Sequence, residues 1–571
     1  MKKRTIIKLL SAVALTLCMP SCHDALDLEN TGVLSSDAVW GSSDAADLYI
    51  TASYKTFTDI SQVSNSRSVF YDSYSDLMKS TSWDLYNHSY NKVLLQASSF
   101  STGSAGAFDC WGLYNDRIRR ANVLLDEMRR YDADNRFGED WCNVRRAEVR
   151  LCRAFTYYRL IRVYGGVVLR TDVSGINGGV DDGAYQEDVH RARLTEAESW
   201  DFVISELQWA AERLPDSWPA EWEGRATKKT AYGFLSRMAL YAGKWQIAVD
   251  AAEKVKELGG DLAPDYAKVF QVDGKQDNSK EILFALYYKP SASDTDPGVP
   301  HSFDQYNRPF GDRAVYKTDA IYAEHVPTAE LADMYEFSDG TDFSWSTYTL
   351  NHTDPYTDRE PRFHATILFN GAEWEGRQIQ TWEGGADEFK DFTMSASTGG
   401  HTCTGYYLRK YLQENYTRFV EQGSYQYDAV LRYAEVLLNK AEAYAELDYI
   451  RYKTQALGAL NEVRARVGLP AKDAATKEAF MTLLRKERCV ELAGEGFRYW
   501  DLRRWKLAEN VINGQNAHGV KVTNDNGSYT YARVNCDAGA PRIFLEKYYY
   551  FSLPTAELAN NNKLGDNNPY W

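Results

Sequence analysis

Apolar positions recur at spacings of three and four along Ala147 to Leu169, AEVRLCRAFTYYRLIRVYGGVVL. Leu151, Ala154, Phe155, Tyr158 and Ile161 therefore line one side of a predicted helix, with Arg146, Arg150, Arg153 and Arg162 largely off that stripe. Gly165 and Gly166 are expected to end it, because glycine accepts the left-handed turn of a helix exit. Further helical patterns start near Ser43, where Ser42, Ser43 and Asp44 offer caps, and run from Trp111 to Met128 and from Leu194 to Leu214. The segment from Gly224 reads as a helix, a tight turn at Gly243 and a second helix. Leu235 to Tyr241 is echoed by Leu438 to Tyr444, with Leu, Ala and Tyr at matching offsets, which is the logic of tetratricopeptide-like repeats.

Between these copies the pattern changes. After a strand-like run, Glu281 to Tyr288, come Pro, Gly, Asp, Thr and many aromatics, with one short helical run near Ala329 to Tyr335. Residues 61–105 and 171–190 read as loops. A last helical block, Arg485 to Trp505, holds Glu487, Arg488, Glu491, Glu495, Arg498, Asp501, Arg503 and Arg504, read as paired structural charges rather than an acid/base centre. The tail is short strands and turns, with a turn signal at Asn526-Gly527. The fold class expected is mainly α: tetratricopeptide-like helix pairs at about 43–260 and 427–505 form a scaffold, and a loop-rich insertion at about 280–425 carries the ligand site.

Composition narrows the function. Aromatics make up 14% of the 571 residues, with 40 Tyr and 15 Trp, which fits either aromatic surface held open for a ligand or a packed helical core. A net charge of -15 argues against nucleic acid, whose phosphates need a basic footprint. Lys2, Lys3, Arg4 and Lys8 precede an apolar run, Leu9 to Leu17, too short to span a bilayer. With Ser21 and Cys22 after it, residues 1–21 resemble a bacterial lipoprotein signal peptide, and Cys22 is expected to be the acylated first residue of the mature protein. Cys110, Cys142, Cys152, Cys403, Cys489 and Cys536 are scattered and suggest neither zinc nor a disulfide framework. The chain has no H-E-x-x-H, G-x-S-x-G, P-loop or dinucleotide glycine motif, and its nine histidines are isolated. Its 80 Asp and Glu leave a glycosidase carboxylate pair open.

An ordered set of motifs resembles the SusD/RagB family of outer-membrane nutrient-binding lipoproteins. It comprises Cys22 with LDLENTGVLSSDAVW, the Y-G-G exit at Tyr164, GRATKKTAYGFLSRMALY from Gly224, NSKEILF from Asn278 and PTAELADMYEFSDG from Pro327. RYAEVLLNKAEAYAE from Arg432, ALGALNEVRARVGLP from Ala456, ERCVELAGEGFRYWDLRRW from Glu487 and a closing Asn568-Pro569 complete it. The resemblance implies one domain over 22–571 with four helix pairs, a lipid anchor in the outer membrane, and a SusC-like TonB-dependent transporter as partner. It implies non-enzymatic capture of an oligosaccharide or polysaccharide for delivery to that transporter. A RagB-like peptide-uptake protein and an unrecognised glycoside hydrolase are the alternatives. No cofactor is expected, with a structural calcium left open.

A glycan binder needs aromatic platforms for the C–H faces of sugar rings and polar groups beside them for the hydroxyls. Trp83, with Asp84, Tyr86 and Asn87, fits this best, followed by Tyr306, Arg308, Trp345, Trp374 and Trp382 in the insertion. Trp209, Trp245, Trp500 and Trp505 lie in helical patterns and are expected in the core.

Overall fold

The computed structural model describes residues 36–59, 61, 70–82, 90–96, 99–173, 183–272, 280–293, 295–346 and 354–571. The chain divides into one compact unit ending at Tyr49 and a second from Ile50 to Trp571. In the first, Ser42 Oγ accepts the Ala45 N–H at 3.2 Å, so the expected cap is in place. The Trp40 and Tyr49 rings there meet edge-on at 6.4 Å.

Helices α1 (Trp111–Arg130), α2 (Glu139–Tyr164), α3 (Glu196–Arg213), α4 (Lys228–Tyr241), α5 (Trp245–Glu257), α6 (Tyr433–Arg466), α7 (Lys477–Glu491) and α8 (Arg498–Arg504) frame the second unit. From α1 to α7 each packs on the next, the serial stacking of helical repeats. Non-helical backbone at Asp448 and Tyr452 breaks α6 into two helices. The echoed segments lie on α4 and α6, which touch, and Leu235, Met238, Leu438 and Ala441 are buried. The helical scaffold read from the sequence is therefore the scaffold observed.

Two details differ from the sequence reading. Arg153 does not point off the buried stripe of α2: it is 5% exposed, and its guanidinium reaches Glu206 on α3 at 2.6 Å. Helix α2 is covered on more than one side, so its polar edge is buried through a salt bridge. The block Arg485 to Trp505 is two helices, because Gly494 and Gly496, both at φ +77°, turn the chain between α7 and α8.

The Y-G-G exit works as expected, and its second glycine has a separate reason. Gly165 has φ +75° and its N–H closes on Ile161 O at 2.8 Å. At Gly166 a Cβ would stand 2.0 Å from the Leu194 carbonyl oxygen, which is backbone and cannot swing away. Gly166→Ala should therefore destabilise the protein by about 1–3 kcal/mol through overpacking, read as a lower urea midpoint at unchanged m-value. An unchanged midpoint would show that the exit of α2 relaxes freely.

Strands β1 (Met78–Ser80), β2 (Ile282–Leu286), β3 (His325–Pro327), β4 (Asp428–Arg432), β5 (His518–Asp525) and β6 (Ser528–Asn535) pair antiparallel as β1–β3, β2–β4 and β5–β6. The β2–β4 ladder, with Ile282 opposite Arg432, brings the two ends of the insertion together. Residues 287–427 thus leave and re-enter the scaffold through one ladder. Asn526 and Gly527, both at positive φ, make the tight β5–β6 turn.

Carboxylates of α7 and of the turn after it lock the insertion to the scaffold. Glu491 accepts from Arg362 of the insertion at 3.0 Å, Arg432 of β4 at 2.6 Å and Arg466 of α6 at 2.5 Å. Glu487 pairs with Arg362 and Arg464, and Glu495 with Arg432 and Lys410. Of the charges read as structural pairs, Glu487, Arg488, Glu491, Glu495, Arg498, Asp501 and Arg504 are ion-paired, while Arg503 is buried without an ion pair to any described residue.

Candidate ligand-binding surface

Trp83, Asp84, Tyr86 and Asn87 lie outside the described residues, as does Cys22. The residues flanking 83–89 are tightly fixed. Asn91 Nδ2 donates to Ser80 O at 2.9 Å and to Ser82 O at 2.7 Å, and the Thr81 N–H donates to Glu324 O at 3.0 Å. Asn91 is held by the Lys79 ammonium at 2.9 Å, which also pairs with Asp537 at 2.7 Å and lies 3.6 Å from the centre of the Phe392 ring. Burial would raise the Asp537 carboxyl, yet Arg542 and Lys79 outweigh it and hold the group down at about 2. The described residues on either side of 83–89 are thus anchored by a buried ion pair.

The same backbone ladder places an aromatic pair beside residues 80–82. The Glu324 N–H donates to Tyr306 O at 2.5 Å, and the Tyr322 N–H to Gln305 O at 2.9 Å. The Tyr306 and Tyr322 rings consequently meet at 5.6 Å, tilted by 34°, and both are partly exposed. Ala323, at φ +40°, turns the chain sharply between Tyr322 and Glu324, a conformation that costs a non-glycine residue about 1–3 kcal/mol. Two adjacent rings at a loop exit offer the apolar faces on which sugar rings stack. Tyr306 was legible in the sequence; Tyr322 was not, since it sits in AIYAEHVP without the polar neighbours that marked the other candidates.

Two candidates are corrected by burial. Arg308 is fully buried among Asp304 at 3.1 Å, Asp312 at 3.1 Å and Glu375 at 2.8 Å, with Phe419 stacked over its guanidinium. Trp374 is 1% exposed and its Nε1–H is shared by the two oxygens of Asp312. Each reads as a polar or aromatic loop residue in sequence, but the carboxylates around Arg308 and Asp312 draw both into a buried cluster. Neither presents a face to a ligand.

Trp382 lies elsewhere, against β6, and Trp345 lies beside Asp333. The half-buried Trp382 ring lies 5.4 Å from Tyr529, and the Trp345 Nε1–H donates to Asp333 at 3.0 Å. Arg533, on the same face as Tyr529, approaches Asp333 at 3.9 Å and Glu330 at 2.8 Å. Burial pushes the Asp333 carboxyl up to about 6, although Arg533 and Arg359 oppose it. Among the helical tryptophans, Trp500 is buried, and Trp209 and Trp245 pack partly buried against the core, as their positions implied.

Among the described residues no three or more His, Cys, Asp or Glu are grouped to hold a metal ion, and no helix is long and apolar enough to cross a membrane. Cys110, Cys142, Cys152, Cys403, Cys489 and Cys536 are free thiols.

Comparison with known proteins agrees with this architecture. The profile of the SusD family matches residues 280–571, more than half of the chain, and a second profile, described as starch-binding associating with outer membrane, matches residues 43–240. The chain belongs to the SusD family. It is 25% identical over 477 residues to SusD-like protein P2 of Formosa agariphila, covering 81% of this chain and 79% of the relative. Its fold matches a SusD-like protein of Bacteroides fragilis with a TM-score of 0.77 at 26% identity, over 94% of this chain and 99% of the other. A SusD-like carbohydrate binding protein, also from Bacteroides fragilis, matches with a TM-score of 0.73 at 24% identity, over 92% of this chain and all of the other.

Proposed function

We propose that this protein is a non-enzymatic glycan-binding lipoprotein of the outer membrane that captures oligosaccharide or polysaccharide and delivers it to a SusC-like TonB-dependent transporter. In this reading residues 1–21 are a signal peptide, Cys22 carries the lipid, and 22–571 act as one SusD-like domain. The observation that carries it is the Tyr306–Tyr322 pair beside the anchored backbone of residues 80–82. Trp83, Asp84, Tyr86 and Asn87, next in the sequence, remain proposed members of the site on their residue types alone. Membership in the SusD family and the carbohydrate-binding relative support the ligand class. Trp382, beside Tyr529 of β6, is a secondary aromatic platform for a longer chain, and Trp345, hydrogen-bonded to Asp333, a further candidate.

Affinity electrophoresis of the chain from residue 23 against a panel of neutral polysaccharides tests the reading. At least one glycan should retard the protein, with no release of reducing ends on prolonged incubation. Retention of peptides with no retardation by any glycan would replace it with peptide uptake, and sustained release of reducing ends would make the protein a glycoside hydrolase.

A further inference from the structure

A separate cavity of about 140 Å³ lies where the end of α2, the start of α3, α4 and α8 meet the tail. Arg162, Arg503, Arg504 and Lys506 line it, together with the rings of Trp500 and Tyr241. Its charges are not balanced. Arg504 is neutralised by a bidentate pair with Glu442 and by Asp501 at 2.8 Å. Arg162, Arg503 and Lys506 have no ion pair with any described residue; Arg162 lies 4.0 Å from the Trp500 ring centre and Arg503 lies 5.0 Å from it. Glu196, the acid in the lining, accepts from Tyr550 OH at 2.7 Å and from Trp200 Nε1 at 3.3 Å.

The hydrogen-bond donors are unspent as well. Arg503 is 4% exposed and Trp500 2% exposed, yet Arg503 Nε and Nη1, Trp500 Nε1, Arg162 Nε and Tyr241 OH have no hydrogen-bond partner among the described residues. Buried donors and cations left unpaired are costly, and a chain of net charge -15 has carboxylates enough to have paired them. Burial beside Arg159 pulls Arg162 below its ordinary range, and partial desolvation of the ammonium beside Arg503 does the same for Lys506, a cost that an arriving anion would reverse.

The geometry points to an oxyanion site in this cavity: Arg162, Arg503 and Lys506 supply charge, and Trp500 Nε1 and Tyr241 OH supply further hydrogen bonds, for one sulfate, phosphate or carboxylate group. The group is either a free ion or a substituent on a sugar ring, which the surrounding aromatic walls would accept. The inference does not depend on the Tyr306–Tyr322 surface.

Titration calorimetry of the chain from residue 23 with sodium sulfate, sodium phosphate and sodium glucuronate tests it, with sodium chloride at matched ionic strength and glucose as controls. Saturable binding of one oxyanion at one site per chain is expected. Arg162→Gln and Lys506→Gln should each weaken it by about tenfold, the worth of a charge-assisted hydrogen bond. Lys506 is exposed, so its variant keeps the test valid if the Arg162 variant folds poorly. Both variants should keep wild-type retardation in neutral polysaccharide gels, which separates this site from the proposed glycan surface. Tighter binding of glucuronate than of the inorganic ions would assign the site to a saccharide substituent, and the reverse order to a free ion. No saturable binding by any of the three, or equal affinity in wild type and both variants, would overturn the inference.

Discussion

Glu491→Ala should lower the free energy of unfolding at pH 7 by about 3–5 kcal/mol, because it removes one partner from a buried charge network. The side chain is fully buried and receives Arg362, Arg432 and Arg466, which come from the insertion, β4 and α6. Alanine would leave three buried guanidiniums one carboxylate short, with Arg362 still on Glu360 and Glu487, Arg432 on Glu281 and Glu495, and Arg466 on Glu281 alone. Burial alone would raise the Glu491 carboxyl, but the arginines hold it far below the ordinary 4.5. A folded value depressed in this way gives stability that is fully present above about pH 4.5 and is lost as pH falls toward the folded value. Urea unfolding of wild type should therefore show steepening loss below pH 4.5, and the alanine variant should lack that component. Equal stability at pH 7 would show that the network contributes nothing net to the fold. The insertion hangs on this network, so its loss would first loosen the elements that carry the proposed ligand surface.

Tyr322→Ala should weaken glycan binding by about 2 kcal/mol, roughly 30-fold, the loss expected when an aromatic anchor is removed from a binding surface. Tyr322 is partly exposed and meets Tyr306 in a tilted ring contact, so the substitution should change the unfolding free energy by about 1 kcal/mol or less. Isothermal titration with a retained oligosaccharide reads the first number and urea unfolding the second. A drop in affinity with a matching drop in stability would mean that Tyr322 only supports the fold. Trp374→Phe is the complementary control: its indole is buried against Asp312, so it should cost stability and leave affinity unchanged.

The scaffold was legible because helical periodicity is local. Leu151 to Ile161, the copies at Leu235 and Leu438, and the glycine exits announce themselves within a dozen residues. The Asn526-Gly527 turn is a signal of the same kind. What the sequence concealed depends on partners far away in the chain. Arg308 and Arg153 look like solvent-facing charges until Glu375, 67 residues on, and Glu206, 53 residues on, are brought against them. Trp374 looks like an open platform until Asp312 takes its indole N–H. Tyr322 acquires meaning only through the hydrogen bonds that link Thr81, Glu324 and Tyr306, none of which leaves a periodic trace. Gly494 and Gly496 divide α7 from α8 within a charged run that reads as one helical block in the sequence.

The most direct measurement is affinity electrophoresis of wild type beside the Tyr306→Ala/Tyr322→Ala double variant on the polysaccharide panel. Retardation of wild type by at least one glycan, abolished in a double variant that unfolds at the wild-type urea midpoint, is the result predicted. Equal retardation of the two proteins would contradict the placement of the ligand beside residues 80–82.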